Sequence, residues 1–427
     1  MNLAKLNHIL IPGTKAGRDR LRDTRAGRLL GPLGGAYRAL TQEGQFLSIF
    51  WMVCGSAGLE VGATQIHLLW CLITGVMVAA LLHRRRYRLD GVRLTAEAPG
   101  RLTAGDVGSF VMRLSSERPD DVLALRVIGP LLPWDGAYVG DRPGLARLPA
   151  GGVAAIGVRV RFRQRGEHHL DPFYVARVVP LGLTMGPALE TDGVRFLVMP
   201  RPARIGALDL PLAARFQPGG VTVRGYAGES REFVGVRPYR PGDAIRDLHA
   251  RSSARAGYPV VREYRQEYFT RVGVVLDTDV AAADEATFEA AISVAAAVLD
   301  HVSRGEALID LLVLGERVHR LAIGHLAPGH YGTLGSVQQA HELLACVAEG
   351  PAFDAAGLSG ALAPHLTSLS CVVFVGLTWD APRRAAVEAL RHTGTAVKTL
   401  VLGGDGAADG AVRIDPADVV AQRPLHL

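Results

Sequence analysis

Hydrophobic and polar positions change their spacing three times along the chain. Residues 46–59 and 66–82 form two nearly continuous apolar runs, and Glu60 is the one formal charge between 46 and 82. At 1.5 Å per residue the second run reaches about 25 Å, close to the thickness of a bilayer core. The first run needs residues from the Gly62 side to span. The pattern predicts a two-helix transmembrane hairpin over 46–82. A cleaved signal peptide fits poorly, because 45 residues precede the first run and a second run follows. Short alternating segments come next, at 110–114, 122–128, 158–163, 173–179 and 194–199. In the third of these, Val158, Val160 and Phe162 face one way and Arg159, Arg161 and Arg163 the other. Pro180 and Pro200 close the last two. This texture predicts an all-β, sandwich-like domain over 89–202.

From residue 268 the pattern becomes α/β. Residues 272–276 read as a strand buried on both faces. Phe288, Ala291, Ile292, Ala295, Leu299 and Val302 then recur at helical spacing, with Asp284 placed to cap that helix. Further strands are predicted at 307–314, 371–376 and 397–402, and helices at 334–348 and 382–392. The alternation predicts a Rossmann-like open sheet with helices on both faces over 268–427. The fold class is therefore multi-domain: a helical hairpin, an all-β domain and an α/β domain.

Charge sharpens the membrane reading. The formal net charge is +6, but the excess is local. Residues 1–45 form a basic segment with eight Lys or Arg against three acidic residues, and Arg84, Arg85, Arg86 and Arg88 follow the second apolar run. The connecting turn is almost uncharged. Positive flanks on both outer sides predict an inner-membrane protein with two spans and both termini cytoplasmic. Basic charge confined to such flanks argues against nucleic-acid binding, which needs a basic folded face.

Known catalytic patterns are missing. Lysine occurs only at positions 5, 15 and 398, so no P-loop exists. Cys54, Cys71, Cys346 and Cys371 form no CxxC pair. His319, His325, His330 and His341 lack metal-protease spacing, and the pair His168-His169 reads as surface. No nucleophile elbow stands in a plausible context. The chain does not read as an enzyme, and no cofactor is implied beyond the ion considered below.

The most distinctive stretch lies within 203–267. From Arg224 to Glu267, arginines alternate with carboxylates and no hydrophobic period is visible, so neither an ordinary strand nor an ordinary helix is expected. Pro241-Gly242-Asp243 reads as a tight turn whose carboxylate can accept from backbone donors. Two roles stay open. Bidentate Arg–carboxylate pairs could brace a loop, or the arginines could form a docking surface. A mixture is expected, with the turn structural and Arg237 and Arg240 facing outward.

The residues Phe233-Val-Gly-Val-Arg-Pro-Tyr-Arg-Pro-Gly-Asp, then Ile245-Arg246, His249, Ser253-Ala-Arg255 and Val261-Arg262-Glu263 resemble the signature of the domain of unknown function 58 family. Arg165-Gly166, the segment 180–183 and the segment 198–200 resemble its β-region. The family commonly has Trp after the signature His, where this chain has Ala250. The resemblance implies a membrane-anchored bacterial protein with a von Willebrand factor A-like C-terminal domain and no established catalysis. It implies MoxR-type AAA+ ATPases as partners, together with other membrane or A-domain proteins and the lipid bilayer. It assigns the candidate partner-binding set Arg237, Arg240, Pro241, Gly242, Asp243, Arg246, His249, Ser253, Arg255, Arg262 and Glu263.

The A-domain resemblance also implies a Mg²⁺ site built from hard oxygen ligands. Here the matching positions are Asp277, Asp279, Thr333 and Asp380, a degenerate set, since Ala281 and Trp379 replace two ligands. Asp380 also reads as a helix cap ahead of Pro382. The resulting expectation is an adaptor or scaffold that works with an AAA+ ATPase in protein assembly or maturation. The alternative is a divalent-cation-dependent A-domain that binds a carboxylate-bearing protein ligand.

Overall fold

The computed structural model describes the chain except residues 1–16, 18–19, 21–33, 38, 58–64, 142, 179–180, 212–220, 228–232, 244, 269–270, 305–307, 316–317, 324–334, 367 and 404–409. The side chains of 221–227, 233–234, 263–268, 282 and 308 also lie outside the description. The chain divides into two compact units, Met1–Met199 and Pro200–Leu427.

In the first unit, α1 (Gln42–Ala57) after its polar first turn, and α2 (Ile66–His83), are predominantly apolar on every side. Thr41 caps α1, its Oγ1 accepting from the Gly44 N–H at 3.1 Å. The two helices meet through stacked Trp51 and Trp70 rings, 5.8 Å apart, and Trp51 Nε1 donates to Thr74 Oγ1. Gly55 permits this approach, since a Cβ there would lie 2.7 Å from Trp70 Nε1. Outward-facing Phe46, Met52, Leu68, Leu72 and Leu82 are more than half exposed. Two helices among the described residues are long and apolar enough to cross a membrane, Ile66–Arg86 and Glu285–Ser303. The second is packed inside the α/β unit, where its apolar residues form core. The 16 described residues of α1 are fewer.

The β-region contains β1 (Val92–Glu97), β2 (Leu102–Thr103), β3 (Val107–Ser116), β4 (Val122–Ile128), β5 (Gly136–Tyr138) and β6 (Gly144–Leu148). It continues with β7 (Val153–Phe162), β8 (Gly166–Leu170), β9 (Tyr174–Arg177), β10 (Leu189–Glu190) and β11 (Val194–Met199). They form sheets in the orders β1-β3-β7-β5, β10-β9-β4-β6 and β2-β11-β8, sharing one core. Alternation sets which side is buried: Val158, Val160 and Phe162 on β7 are inside, and the intervening arginines are outside.

His168, expected at the surface, is instead largely enclosed on β8, its side chain 9% exposed, 2.9 Å from Asp135 Oδ2, stacked on Phe196 and edge-on to Phe162. Burial opposes its charge, but the Asp135 and Gly166 hydrogen bonds outweigh that and raise its pKa. A raised folded value contributes stability that is fully present below the unfolded value of 6.5 and lost as pH rises through the folded one. Thermal melts of the wild type should therefore lose stability as pH climbs above that value, and His168→Gln should flatten the dependence. An unchanged slope in the variant would assign the pH effect to other groups.

In the second unit, β12 (Ile205–Ala207) pairs with the C-terminal β22 (Leu425–His426), so the start of the expected signature region belongs with the α/β core. The antiparallel strands β13 (Val221–Ala227), β14 (Phe233–Pro238) and β15 (Val260–Tyr268) form a sheet in the order β13-β15-β14. A short helix, α3 (Ala250–Ala256), precedes β15. This corrects the expectation that the stretch forms neither an ordinary strand nor an ordinary helix. The strands were hidden because Val260 and Val261 are buried while most of the neighbouring arginines face water.

The main sheet runs β18-β17-β16-β19-β20-β21, from β16 (Arg271–Asp277), β17 (Leu308–Leu314), β18 (Val318–Ile323), β19 (Cys371–Gly376), β20 (Ala396–Val401) and β21 (Ala411–Arg413). All neighbours are parallel except β17 with β18. Helices α4 (Glu285–Ser303), α5 (Val337–Cys346) and α8 (Pro416–Val420) cover one face. Helices α6 (Ala355–Leu362) and α7 (Ala381–His392) cover the other. Parallel strands buried on both sides explain the unbroken apolar run at β16.

Candidate functional site

Open α/β sheets bind ligands beyond the carboxyl ends of their strands, and β16 ends there on Asp277. Its side chain is 1% exposed. Oδ1 accepts from the Asp279 N–H at 3.1 Å and Oδ2 from the Leu377 N–H at 3.3 Å. Asp279 turns the chain after the strand, accepting from the Ala281 and Phe353 N–H groups. Asp380 caps α7, with Pro382 in the first turn, and its Oδ1 accepts from the Arg383 N–H.

All three carboxylates converge on one cation, Arg383, whose side chain is 1% exposed. Its Nε donates to Asp277 at 2.7 Å, Nη2 to Asp279 at 2.9 Å and Nη1 to Asp380 at 2.5 Å. The guanidinium lies over the Phe353 ring, 4.9 Å from its centroid. These carboxylates hold the guanidinium proton more firmly than in water, overcoming the burial that opposes it. Burial likewise opposes the Asp279 charge, but Arg383 and the Phe353 N–H draw its pKa down. Side chains on a helix point back toward its N-terminus, which lets Arg383 reach the sheet edge from the first turn of α7. A cation there opposes the helix dipole, so the carboxylates compensate for two penalties, the dipole and desolvation.

A cleft of about 210 Å³ opens beside this cluster, lined by Asp277, Leu314, Val318, Phe353, Asp354 and Gly357. The Thr278 hydroxyl donates to the carbonyl of Leu314, one of the lining residues. Among the expected ion ligands, Asp277, Asp279 and Asp380 are brought together, and Thr333 lies outside the described residues. The arrangement does not fit a divalent ion. Mg²⁺ demands near-octahedral oxygen ligation at about 2.0–2.1 Å, whereas each carboxylate here already faces a guanidinium nitrogen. Among the described residues, no group of three or more His, Cys, Asp or Glu side chains is set to hold a metal. Arg383 was missed in the sequence, although an Arg at the third helical position after an Asp-x-Pro cap is an available signal.

The signature residues occupy a second region. Arg237 on β14 grips Asp243 with two bonds of 2.7 Å. Asp243 Oδ2 also accepts from the Arg240 N–H at 2.8 Å, and the Asp243 N–H closes the turn on the Arg240 carbonyl. Gly242 sits at φ +104°, which a side chain would strain. The Arg237 and Arg240 bonds hold the Asp243 carboxyl down at about 2. Arg237 thus belongs to the turn, correcting the expectation that it faces outward. His249 caps α3 by accepting from the Ser252 N–H, and Ser253 Oγ bridges α3 to β15 by accepting from the Val260 N–H. Arg240, Pro241, Gly242, Arg246, Arg255 and Arg262 are exposed. The Glu263 side chain lies outside the described residues. Among these residues stand exposed Val236, Tyr239, Ile245 (75%) and Tyr258 (53%).

Breaking a buried ion pair by removing one partner costs about 3–5 kcal/mol, so Arg383→Met should lower the melting temperature sharply. The same melts on the wild type should be indifferent to Mg²⁺ or excess chelator. A Mg²⁺-dependent rise in the wild type would overturn the assignment of Arg383 as the cation of this site.

Residues 235–399 match the family described as "Protein of unknown function DUF58". No curated protein matches the chain. Among solved structures, native alpha-2-macroglobulin of Escherichia coli matches at 15% identity and TM-score 0.20, covering 30% of this chain and 9% of that one. A Salmonella alpha-2-macroglobulin mutant matches at 19% identity and TM-score 0.21, covering 30% and 8%. The Caenorhabditis elegans MSP family member WR4 matches at 11% identity and TM-score 0.17, covering 25% and 97%. The chain thus spans less than a tenth of these two alpha-2-macroglobulins. The family match takes in the signature hairpin from Gly235, β16 and β19, and it supports the DUF58 resemblance carried by the signature residues.

Proposed function

We propose that this chain is a membrane-anchored interaction protein that docks a MoxR-type AAA+ ATPase through its signature surface, as an adaptor in protein assembly or maturation. The observation that carries the reading is the exposed set of Ile245, Tyr239, Tyr258 and Val236 among Arg240, Arg246, Arg255 and Arg262. Tyr and Arg are enriched at binding hot spots. Ile245 is left 75% exposed beside a braced turn among the described residues. The lipid-facing side chains of α1 and α2, with basic residues on both flanks, support two inner-membrane spans and cytoplasmic termini. The sheet order, with β18 antiparallel at one edge, supports a von Willebrand factor A-like domain. The divalent-ion alternative loses its basis where Arg383 faces the carboxylates.

Co-purification of the full chain with the candidate ATPase tests the surface. Ile245→Asp and Arg240→Ala should abolish capture with melting unchanged, whereas Asp243→Ala should lower melting as well. Retained capture by Ile245→Asp would move the docking surface elsewhere. For topology, a reporter fused after Leu427 should register as cytoplasmic, and an extracytoplasmic signal would reverse the orientation.

A further inference from the structure

The loop 181–186 of the β-region is bound to the base of the helical hairpin. The Thr41 hydroxyl donates to the Gly182 carbonyl at 2.5 Å, and the Thr41 N–H to the Leu183 carbonyl at 3.0 Å. The Met185 N–H donates to the Ala39 carbonyl, and the Thr184 hydroxyl to the Ala80 carbonyl. Gly44 lets this happen, because a Cβ there would lie 2.2 Å from the Leu183 carbonyl oxygen. The loop therefore touches the first turn of α1 and the last turn of α2. Ala80 is buried to 1% on a helix whose neighbours Val78 and Leu82 are exposed.

At the tip of this loop stands Leu181, 81% exposed and at φ +53°, followed by Gly182 at φ +74°. A bulky residue in left-handed backbone is uncommon, and here it aims an apolar side chain into solvent. Three exposed apolar residues thus gather at one end of the hairpin: Phe46 and Leu82, where the apolar runs end, and Leu181 from the β-region. Arg85 and Arg86, which follow α2 directly in the chain, are also exposed. This is the residue order of a membrane interface, apolar side chains at the acyl boundary and arginines at the level of anionic headgroups.

We propose that loop 181–186 is an interfacial anchor, with Leu181 inserted at the boundary between acyl chains and headgroups. It rests on the reading that the hairpin spans the membrane. The hydrogen bonds to Thr41 and Ala80 fix its depth, since they tie the loop to the last turn of a spanning helix. The occupant is the lipid itself, because the loop is hydrogen-bonded to both helices of the hairpin beside their exposed apolar residues Phe46 and Leu82. Insertion would hold the β-region in a set orientation on the bilayer, where two helices alone would let it pivot.

The test uses the full chain, with Cys71→Ser and Cys346→Ser removing the exposed thiols, reconstituted in phosphatidylcholine–phosphatidylglycerol vesicles. Leu181→Cys carries an environment-sensitive fluorophore, and quenching by lipids with a nitroxide on a shallow acyl carbon is read. The same label at Leu82→Cys marks the interface. Leu72→Cys, outward-facing on α2, marks the bilayer interior, and Val107→Cys marks the far end of β3. Quenching at 181 comparable to that at 82, and several-fold above that at 107, is expected. If 181 is instead open to aqueous iodide while 72 is quenched by lipid, the anchor fails and the hairpin stands. If 181 is shielded from both quenchers, a protein covers the loop and the proposal is equally overturned. If 72 is not quenched, the spanning reading itself falls, and the anchor with it.

Discussion

A guanidinium taken out of water must be matched by charge or the fold cannot hold it, and Arg383 sets that condition for the α/β unit. Desolvating an ion costs several kcal/mol even after relaxation. Arg383 meets it with Asp277 from β16, Asp279 from the following turn and Asp380 from its own helix cap. Asp277 in turn accepts from the Leu377 N–H just beyond β19, and Asp279 from the Phe353 N–H ahead of α6. One side chain thereby ties the ends of two adjacent strands to two helices on the same face. The carboxyl edge of the sheet, where such folds place ligands, is organised by the chain's own cation. Whatever enters the cleft beside Phe353 meets a surface fixed in advance.

A second constraint of the same kind acts at the opposite ends of β16 and β17. Asp310, 1% exposed, lies between Arg271 and Arg320, each at 2.6 Å. Both clusters span neighbouring strands, and both leave the apolar faces to α4 and α7. Buried ion pairs add little net stability compared with apolar residues of similar size. Their value lies in register, because a strand slipped by one residue would leave a carboxylate facing hydrocarbon.

How far the sequence was legible follows from what each level requires. β19 and the Asp284 and Asp380 caps were readable because they depend on local composition: an apolar run, and an Asp before a helical period. The signature hairpin was not readable in the same way. It buries Val260 and Val261 and exposes charge around them, so its period is carried by few residues. Arg383 illustrates a different gap. Its partners Asp277 and Asp279 lie more than 100 positions away, and nothing in a linear pattern separates a solvated arginine from a buried one. His168 was misjudged for the same reason. Its burial depends on Phe162, Phe196 and Asp135 arriving from other segments.

The signature surface brings these uses of arginine together. Arg237 is held by Asp243 through two parallel bonds, a geometry that only a planar fork provides. That pair and the Gly242 turn fix the backbone on either side of Arg240. The neighbouring Ile245 and Arg246 are carried on a short 3₁₀ turn that follows directly. A partner meeting this surface would not have to order the loop, so less binding free energy would be lost to loop entropy. If the surface docks a partner as proposed, the structural and docking roles that seemed to compete in the sequence would fall to different residues of one motif. Arg237 and Asp243 set the shape, and Arg240, Ile245 and Arg246 occupy it. Lysine at 237 would keep the charge and lose the fork, so that substitution separates shape from charge.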